Sequence, residues 1–173
     1  TEDLADQAVQ AEQRIRSQLS QLGCSSHNIS AYNRAVLALD DVVLIGQARK
    51  STLLCSSQGR HEQGIDMGPI EYVTRLGVGI RRSADLGFEE QPQPLLVLQR
   101  DDLVVAAKQT SAVDVFLERA DMSVGVITSS TGDVVAQRGP VSPPSAGFSY
   151  PDKPTHFNGD YLRALKHSAE YDL

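Results

Sequence analysis

The stretch VVLIGQARKSTLLCSSQGR, residues 42–60, decides the fold class of this chain. Its segments Val42–Arg49 and Ser51–Ser57 are rich in apolar and β-branched residues, which favour strands. The dipeptide Gln58-Gly59 then gives a turn signal. The stretch therefore predicts two successive strands and a turn, and the second of the strands contains a cysteine, Cys55.

Two helices are predicted before this stretch. Apolar residues of the first 22 positions recur at helical spacing on one narrow stripe: Leu4, Ala8, Ala11, Ile15, Leu19 and Leu22. We expect Gly23 to end this helix in a left-handed cap. The stripe can pack on the domain's own core or on a partner helix. A second helix is predicted from about Ser30 to Leu39, with Asn28 or Ser30 as its cap.

Strand-like segments dominate the rest of the chain. They lie at Thr74–Arg82, Pro94–Gln99, Leu103–Ala107, Val113–Glu118, Ser123–Ser129 and Asp133–Gln137. The short polar turn Arg100–Asp102 between two apolar runs predicts a hairpin. The proline-rich segment Gly139–Pro154 is predicted to be irregular, a short helix is predicted from Asn158 to about Lys166, and Glu170–Leu173 is expected to begin a last strand.

The order of these elements predicts an α+β fold. A long N-terminal helix and a second helix precede many strands without β–α–β alternation, so both helices should pack on a mainly antiparallel sheet. The length of 173 residues suits a single domain. A net charge of −6 with no block of Lys or Arg argues against nucleic-acid binding. The chain begins at Thr1 without an initiator Met, and no signal-peptide segment follows, which fits a domain excised from a longer protein or a processed chain. It contains no apolar run of membrane-spanning length.

The two cysteines, Cys24 and Cys55, leave three alternatives open when spacing alone is considered. A disulfide would join the end of the first helix to the first strand pair and requires an oxidising compartment. A metal site would add His27 and His61, although the spacing matches no common zinc pattern. Two unrelated buried thiols are the third alternative, because free cysteine is a common core residue.

The residues around both cysteines resemble a known family. Cys24-Ser25-Ser26-His27, the strand Val42–Arg49 and the run Leu53–Ser57 followed by Gly59 are similar to the CSS-motif sensor domain. That domain is the periplasmic part of bacterial inner-membrane cyclic-di-GMP phosphodiesterases, where it lies between two transmembrane helices and precedes a cytoplasmic EAL domain. The resemblance covers the first 60 residues well, and the remainder only in general character.

The resemblance implies a single sensor domain over residues 1–173. Its parts would be a membrane-proximal helix (1–22), the motif region (24–60) and a strand-rich remainder (74–173). Cys24 and Cys55 would form the family's redox-active disulfide or dithiol pair, and Ser56 and Ser57 would complete the motif. No role is carried over to Ser25 or Ser26.

The resemblance also implies a periplasmic location and a regulatory, non-catalytic role, and the chain indeed contains no Glu-Ala-Leu triplet. No cofactor or metal is expected in this domain, whereas the EAL domain of the parent phosphodiesterase would use Mg²⁺ or Mn²⁺. Expected partners are a second copy bound through the N-terminal helix and periplasmic thiol–disulfide oxidoreductases. Nucleic acid is not expected, and membrane contact would come only through flanking helices.

Two functions follow from these observations. In the first, thiol–disulfide exchange at the cysteine pair shifts the first helix or its pairing and thereby controls the EAL domain. In the second, the chain is an extracytoplasmic ligand-binding or interaction domain, loosely similar to Cache or PAS-like sensors, and its disulfide is purely structural. Basic residues that could grip an acidic ligand are Arg75, Arg81, Arg82, Arg100, Lys108 and Arg119, although charged residues on strands usually lie exposed.

Overall fold

The computed structural model describes residues 2–19, 21–87, 95–113, 122–128, 132–141, 155–158 and 161–164. Two helices, α1 (Glu2–Gln18) and α2 (Ser26–Val36), precede the strands. Both helices pack against one face of an antiparallel sheet through the same group of buried side chains. The predicted α+β class is therefore confirmed.

The main sheet contains seven strands in the order β3-β2-β1-β7-β6-β5-β4, and every neighbouring pair is antiparallel. The strands are β1 (Val42–Arg49), β2 (Thr52–Ser56), β3 (Gly59–Asp66), β4 (Tyr72–Val73), β5 (Gly79–Ala84), β6 (Leu95–Arg100) and β7 (Leu103–Lys108). A 3₁₀ helix (Gln109–Val113) follows, and two further pairs form separate two-stranded sheets: β8 (Val124–Ile127) with β9 (Val134–Arg138), and β10 (Thr155–Asn158) with β11 (Tyr161–Ala164).

The sheet has a buried core on each face. On the helix face, Ala11 and Ile15 of α1 and Tyr32 of α2 pack over β1 and β7, while the β8–β9 pair packs over β5 and β6. On the opposite face, the central strands contribute a second apolar layer that includes Leu44 and Val97. Because the middle strands are buried on both faces, their sequences are continuous apolar runs, and this makes β1, β6 and β7 recognisable in the sequence.

A β-bulge in β2 sends neighbouring side chains to unexpected faces. On β1 the pairing passes from Gln47 directly to Ala48, whereas on β2 it passes from Cys55 to Leu53, so Leu54 is the extra residue. Leu53 consequently packs on the face away from the helices, and Cys55 packs on the helix face. The bulge therefore points the cysteine toward the helices.

The helix boundaries differ from the prediction. The first helix ends at Gln18, and Gly23 is not its left-handed cap, because Gly23 has no positive φ. The second helix begins at Ser26 and ends at Val36, because Ser25 is its N-cap and accepts a hydrogen bond from the backbone N–H of Asn28 (3.2 Å). The predicted caps, Asn28 and Ser30, lie inside the helix.

The predicted strands are confirmed where the sequence contains a long apolar run. The strand predictions that differ from the structure lie in polar segments. The strand β3 was not predicted, because its sequence GRHEQGID has no apolar alternation. The predicted strand at Thr74–Arg82 begins five residues too early, since residues 74–78 form a turn closed by hydrogen bonds between Thr74 and Val78.

The predicted helix from Asn158 is wrong. The chain forms the antiparallel pair β10–β11 there, with Asn158 opposite Tyr161. The dipeptide Gly159-Asp160 lies between these paired residues in the sequence and is a two-residue hairpin signal that outweighs the short helical pattern. Of the predicted strand Val113–Glu118, Val113 lies in the 3₁₀ helix and the rest lies outside the described residues, as do residues 142–154 of the proline-rich segment and all of Glu170–Leu173.

Candidate functional site

Cys24 and Cys55 form a disulfide with a Cα–Cα distance of 5.6 Å. Cys24 lies in the connection between α1 and α2, one residue before the N-cap Ser25, and Cys55 lies in β2 on the helix face. The bond therefore joins the start of α2, and not the last turn of α1 as the sequence predicts, to the sheet. It is the covalent link between the helical layer and the strands.

The connection that carries Cys24 is also held by side chains of α2 and β3. The buried Tyr32 hydroxyl donates to the carbonyl of Gly23 (3.2 Å), and burial raises the pKa of this phenol. Asn28 Nδ2 donates to the carbonyl of Gln21 (3.1 Å), and Arg60 Nε donates to the carbonyl of Cys24 (2.8 Å). Three backbone carbonyls within four residues are thus bonded by side chains, which sets the position of the Cys24 sulfur.

The triplet Cys55-Ser56-Ser57 ends β2 and begins the turn to β3. Ser56 is fully buried, and its Oγ accepts a hydrogen bond from the backbone N–H of Gln58 (3.2 Å). The backbone N–H of Ser57 donates to the carbonyl of Ile45 (2.7 Å), which continues the pairing with β1. Small hydroxyl residues suit these two positions, because each can enter a buried turn and satisfy nearby backbone groups.

Gly46 on β1 allows the close approach of this segment. A Cβ at this position would overlap the carbonyl oxygen of Cys55 and would lie 2.9 Å from Cδ1 of Leu53. Because the first of these atoms belongs to the backbone, it cannot move aside as a flexible side chain does. Glycine is therefore required opposite Ser56, one pair away from the bulge.

The two sulfurs differ in access. Cys24 is partly buried, whereas Cys55 has no exposed surface. The half of the disulfide that is less deeply buried therefore belongs to Cys24. Cys24 also lies just before the N-terminus of α2, and its backbone carbonyl accepts the hydrogen bond from Arg60 Nε.

Each sulfur has an oxygen close to it that could accept a thiol proton. Cys24 Sγ lies 3.8 Å from Oε1 of Gln47, and Cys55 Sγ lies 3.6 Å from the carbonyl oxygen of Gly23. A disulfide sulfur has no proton to donate, so these are contacts in the oxidised state. Upon reduction, the same oxygens can accept weak S–H hydrogen bonds. The buried environment is therefore compatible with both redox states.

His61 on β3 adds a titratable group beside the triplet. Its Nε2 lies 3.1 Å from Ser56 Oγ, and burial lowers its pKa. This burial favours the neutral imidazole, and in that form Nε2 can accept a hydrogen bond from the hydroxyl of Ser56.

The structure resolves the three alternatives for the cysteines. Both sulfurs are used in the disulfide, so in this state neither is a free thiol or a metal ligand. Within the described ranges, no group of three or more His, Cys, Asp and Glu residues is arranged to hold a metal ion. Over the same ranges, no helix has the length and apolar character needed to cross a membrane.

Three residues that support the site were not identified from the sequence. Ser25, for which the sequence suggests no role, is the N-cap of α2, and its signal is its residue type, since serine is a preferred N-cap. Gly46 could have been noticed as a lone glycine inside an apolar strand, which indicates close backbone approach. Arg60 gave no signal, because its contact with Cys24 depends on the path of the polar strand β3.

Comparison with known proteins gives one match. A family model described as "CSS motif domain associated with EAL" matches residues 1–173, the whole chain. No curated protein and no solved structure matches it. The family match includes the strand-rich region from residue 74 onward, for which the sequence resemblance was only general.

Proposed function

Because the chain belongs to the family of CSS-motif domains associated with EAL, we propose that it is the sensory domain of an EAL-containing cyclic-di-GMP signalling protein. In this proposal the domain is periplasmic and non-catalytic, and its parent is an inner-membrane cyclic-di-GMP phosphodiesterase. Any catalytic Mg²⁺ or Mn²⁺ then belongs to the cytoplasmic EAL domain. The state of the Cys24–Cys55 pair, disulfide or dithiol, controls that domain.

The observation that carries the proposal is where the disulfide lies. It joins the connection between α1 and α2 to β2, and it does so through one partly accessible sulfur and one buried sulfur. A disulfide that served stability alone would function equally well with both sulfurs buried. The accessible Cys24 supports exchange with a thiol–disulfide oxidoreductase.

The exchange can be written from the geometry. A thiolate of a reduced dithiol oxidoreductase attacks Cys24 Sγ, a mixed disulfide with Cys24 forms, and Cys55 leaves as a thiolate that takes up a proton. The second thiol of the oxidoreductase then attacks the oxidoreductase sulfur that is bonded to Cys24. An intramolecular disulfide forms in the oxidoreductase, and Cys24 is released as a thiol. Two electrons and two protons pass to the cysteine pair, and the oxidoreductase becomes oxidised. Attack at Cys24 is favoured because Cys55 has no exposed surface.

The effect of reduction on α1 depends on what else holds that helix. Ala11, Ile15 and Leu19 of its apolar stripe are buried in the core of the same chain. Arg16 of α1 also forms an ion pair with Asp101 in the β6–β7 turn (3.0 Å). These contacts do not depend on the disulfide, so reduction leaves α1 docked and removes the covalent restraint on the connection at Cys24. The proposed signal is a change in the angle or pairing of α1.

A homodimer through α1 is part of this proposal. The stripe residues from Ala11 to Leu19 pack inside their own chain, so a partner helix would contact another face of α1 or its first turns. We therefore propose that the dimer seam lies on the face of α1 directed away from the sheet.

The test compares oxidised and reduced forms of the intact EAL-containing protein and of the variant Cys24→Ser. Cyclic-di-GMP hydrolysis is measured in membranes, and hydrogen exchange of residues 19–25 and of α1 is measured on the isolated chain. We expect hydrolysis and exchange to change upon reduction in the wild type, and the variant to match the reduced state under both conditions. Equal hydrolysis by all three forms would refute the redox role.

The second candidate is an extracytoplasmic ligand-binding or interaction domain with a purely structural disulfide. The complete burial of Cys55 favours this candidate, because a buried sulfur is protected from exchange. The same experiment distinguishes the two candidates. A structural disulfide predicts loss of stability upon reduction without a change in hydrolysis by the folded protein.

A further inference from the structure

Arg81 is a buried cation on the sheet face opposite the disulfide. It lies on β5 directly opposite Val97 of β6, and Val97 belongs to the apolar layer away from the helices. Only 2% of its surface is exposed, and among the described residues it is the only charged side chain that is buried. Its neighbour in sequence, Arg82, by contrast forms an ion pair with Glu71 (2.6 Å).

The guanidinium of Arg81 is oriented but incompletely bonded. Nε donates to the carbonyl of Gly68 (2.8 Å), and the backbone N–H of Gly68 in turn donates to Oδ1 of Asp66 (3.0 Å). Nη1 is buried and has no hydrogen-bond partner in the structure, and no described carboxylate forms an ion pair with Arg81. The bond to Gly68 thus fixes one edge of the guanidinium and leaves a terminal nitrogen without an acceptor.

Gln99 provides an unpaired acceptor on the same face. It lies on β6 two residues from Val97 and opposite Gly79, so its side chain is a diagonal neighbour of Arg81. Its Nε2 donates to the carbonyl of Asp101 (2.8 Å), while its Oε1 is buried and has no donor. One buried donor and one buried acceptor, on adjacent strands and without partners, therefore face the same side of the sheet.

An unpaired buried charge is costly for a folded protein. Burial lowers the pKa of Arg81, and the charge of Asp66 acts in the opposite direction without contacting the guanidinium. Arginine remains protonated in proteins, so the positive charge stays and requires an anion or a strong acceptor. The buried Oε1 of Gln99 likewise requires a hydrogen-bond donor.

We propose that Arg81 and Gln99 bind a small carboxylate that also carries a hydroxyl or ammonium donor. The carboxylate accepts from the terminal nitrogens of Arg81, whose planar fork matches a carboxylate. The hydroxyl or ammonium group donates to Oε1 of Gln99. The cover of this site is the connection from Asp66 to Glu71, because Met67 packs in the same apolar layer and Ile70 lies over Gly79.

A monoanion fits the charges better than a phosphate. Arg81 supplies one buried positive charge, and Asp66 contributes a negative charge close enough to affect the pKa of Arg81. A dianion would therefore keep an uncompensated charge inside the sheet. This site lies on the opposite face from the cysteine pair and does not depend on a redox role for that pair.

The test uses the chain labelled with ¹⁵N-arginine and the probes glycolate, acetate, glycolamide and inorganic phosphate at fixed ionic strength. The Nε–H signal of Arg81, identified with Arg81→Lys, should shift saturably with glycolate and remain unchanged with glycolamide. Acetate should bind more weakly by about twofold to tenfold, because it offers Gln99 no donor. Thermal shift of the chain with the same probes gives a second readout.

Three variants make the assignment specific. Gln99→Leu should remove the advantage of glycolate over acetate, and Arg81→Met should weaken glycolate by at least about tenfold. Arg100→Gln is the matched control, because it removes the same charge from an exposed arginine paired with Glu12, and it should bind as the wild type does. If Arg81→Met does not fold, the signal of Arg81 and the Gln99→Leu comparison still decide.

Several results would overturn the proposal. They are the absence of a saturable shift of the Arg81 signal with glycolate, equal binding of glycolate by Gln99→Leu and the wild type, and tighter binding of phosphate than of glycolate. The first would mean that ordered water satisfies the two groups. None of them bears on the disulfide, whose role is tested by hydrolysis and hydrogen exchange.

Discussion

Reduction of the Cys24–Cys55 bond should destabilise the chain by an amount that follows from the length of the loop it closes. The cysteines are 31 residues apart, and a loop of this length corresponds to about 3.5–4 kcal/mol of unfolded-state entropy. For a chain of this size, that loss should lower Tm by about 8–15 °C. Reduction should change the free energy of the folded state less than that of the unfolded state, because oxygens of Gln47 and Gly23 already lie near the two sulfurs and can accept hydrogen bonds from the thiols.

The assay is thermal melting of the chain with and without a phosphine reductant, and far-ultraviolet circular dichroism monitors the unfolding. Cys24→Ser is the matched variant, because Cys24 is partly exposed and serine leaves little empty space. It should melt close to the reduced wild type and should not respond to the reductant. Cys55→Ala should melt lower still, because it also removes a sulfur with no exposed surface from the core.

A decrease in Tm of less than about 2 °C upon complete reduction would refute this reasoning. It would mean that the loop between the cysteines is already restricted in the unfolded chain, or that the bond strains the folded state as much as it restricts the unfolded one. A decrease in Tm for Cys24→Ser much larger than for the reduced wild type would refute the claim that serine leaves little empty space at position 24.

Three further changes test the local structure around the disulfide. Ser25→Ala should lower the free energy of unfolding by about 1 kcal/mol in urea denaturation because it removes the cap of α2, and Ser26→Ala should leave that energy nearly unchanged. Gly46→Ala should cost at least about 1–3 kcal/mol in the same assay, since its Cβ would overlap the carbonyl oxygen of Cys55; an unchanged urea midpoint would contradict the close approach. Burial lowers the pKa of His61 in the folded chain from its ordinary value of 6.5. Below pH 6.5 the unfolded chain therefore binds more protons at this residue than the folded chain does, and Tm should fall as the pH decreases. His61→Gln should flatten this pH dependence, and an unchanged slope would assign it to other groups.

The parts of the fold that the sequence predicts well are those in which one physical signal dominates. The predicted bounds of β1 are the observed ones, because the strand begins with the apolar run Val42–Ile45 and is buried over most of its length. The β6–β7 hairpin was predicted because two such runs flank Arg100–Asp102, and Asp101 adopts the positive φ that the turn requires. The disulfide itself was open on spacing and became an expectation only through the resemblance to the CSS-motif family.

The errors occur where local and long-range signals compete. The strand β3 is polar and lies at the edge of the sheet, so its pairing with β2 leaves no pattern in its own sequence. The start of α2 was misplaced because two polar residues near it, Asn28 and Ser30, are good caps by type, while the geometry uses Ser25. Arg81 and Gln99 could not be distinguished from exposed strand residues, because their burial is set by the connection that crosses the sheet face.

The bulge at Leu54 has a consequence for how relatives of this chain are recognised. Strict alternation from Leu53 would direct Cys55 away from the helices, and the extra residue corrects the direction. Without Leu54 the two residues would be adjacent in sequence and would still point to opposite faces. The bond therefore does not demand the separation of 31 found here. A search pattern for this cysteine pair should let the spacing vary by one residue while it keeps the glycine opposite Ser56.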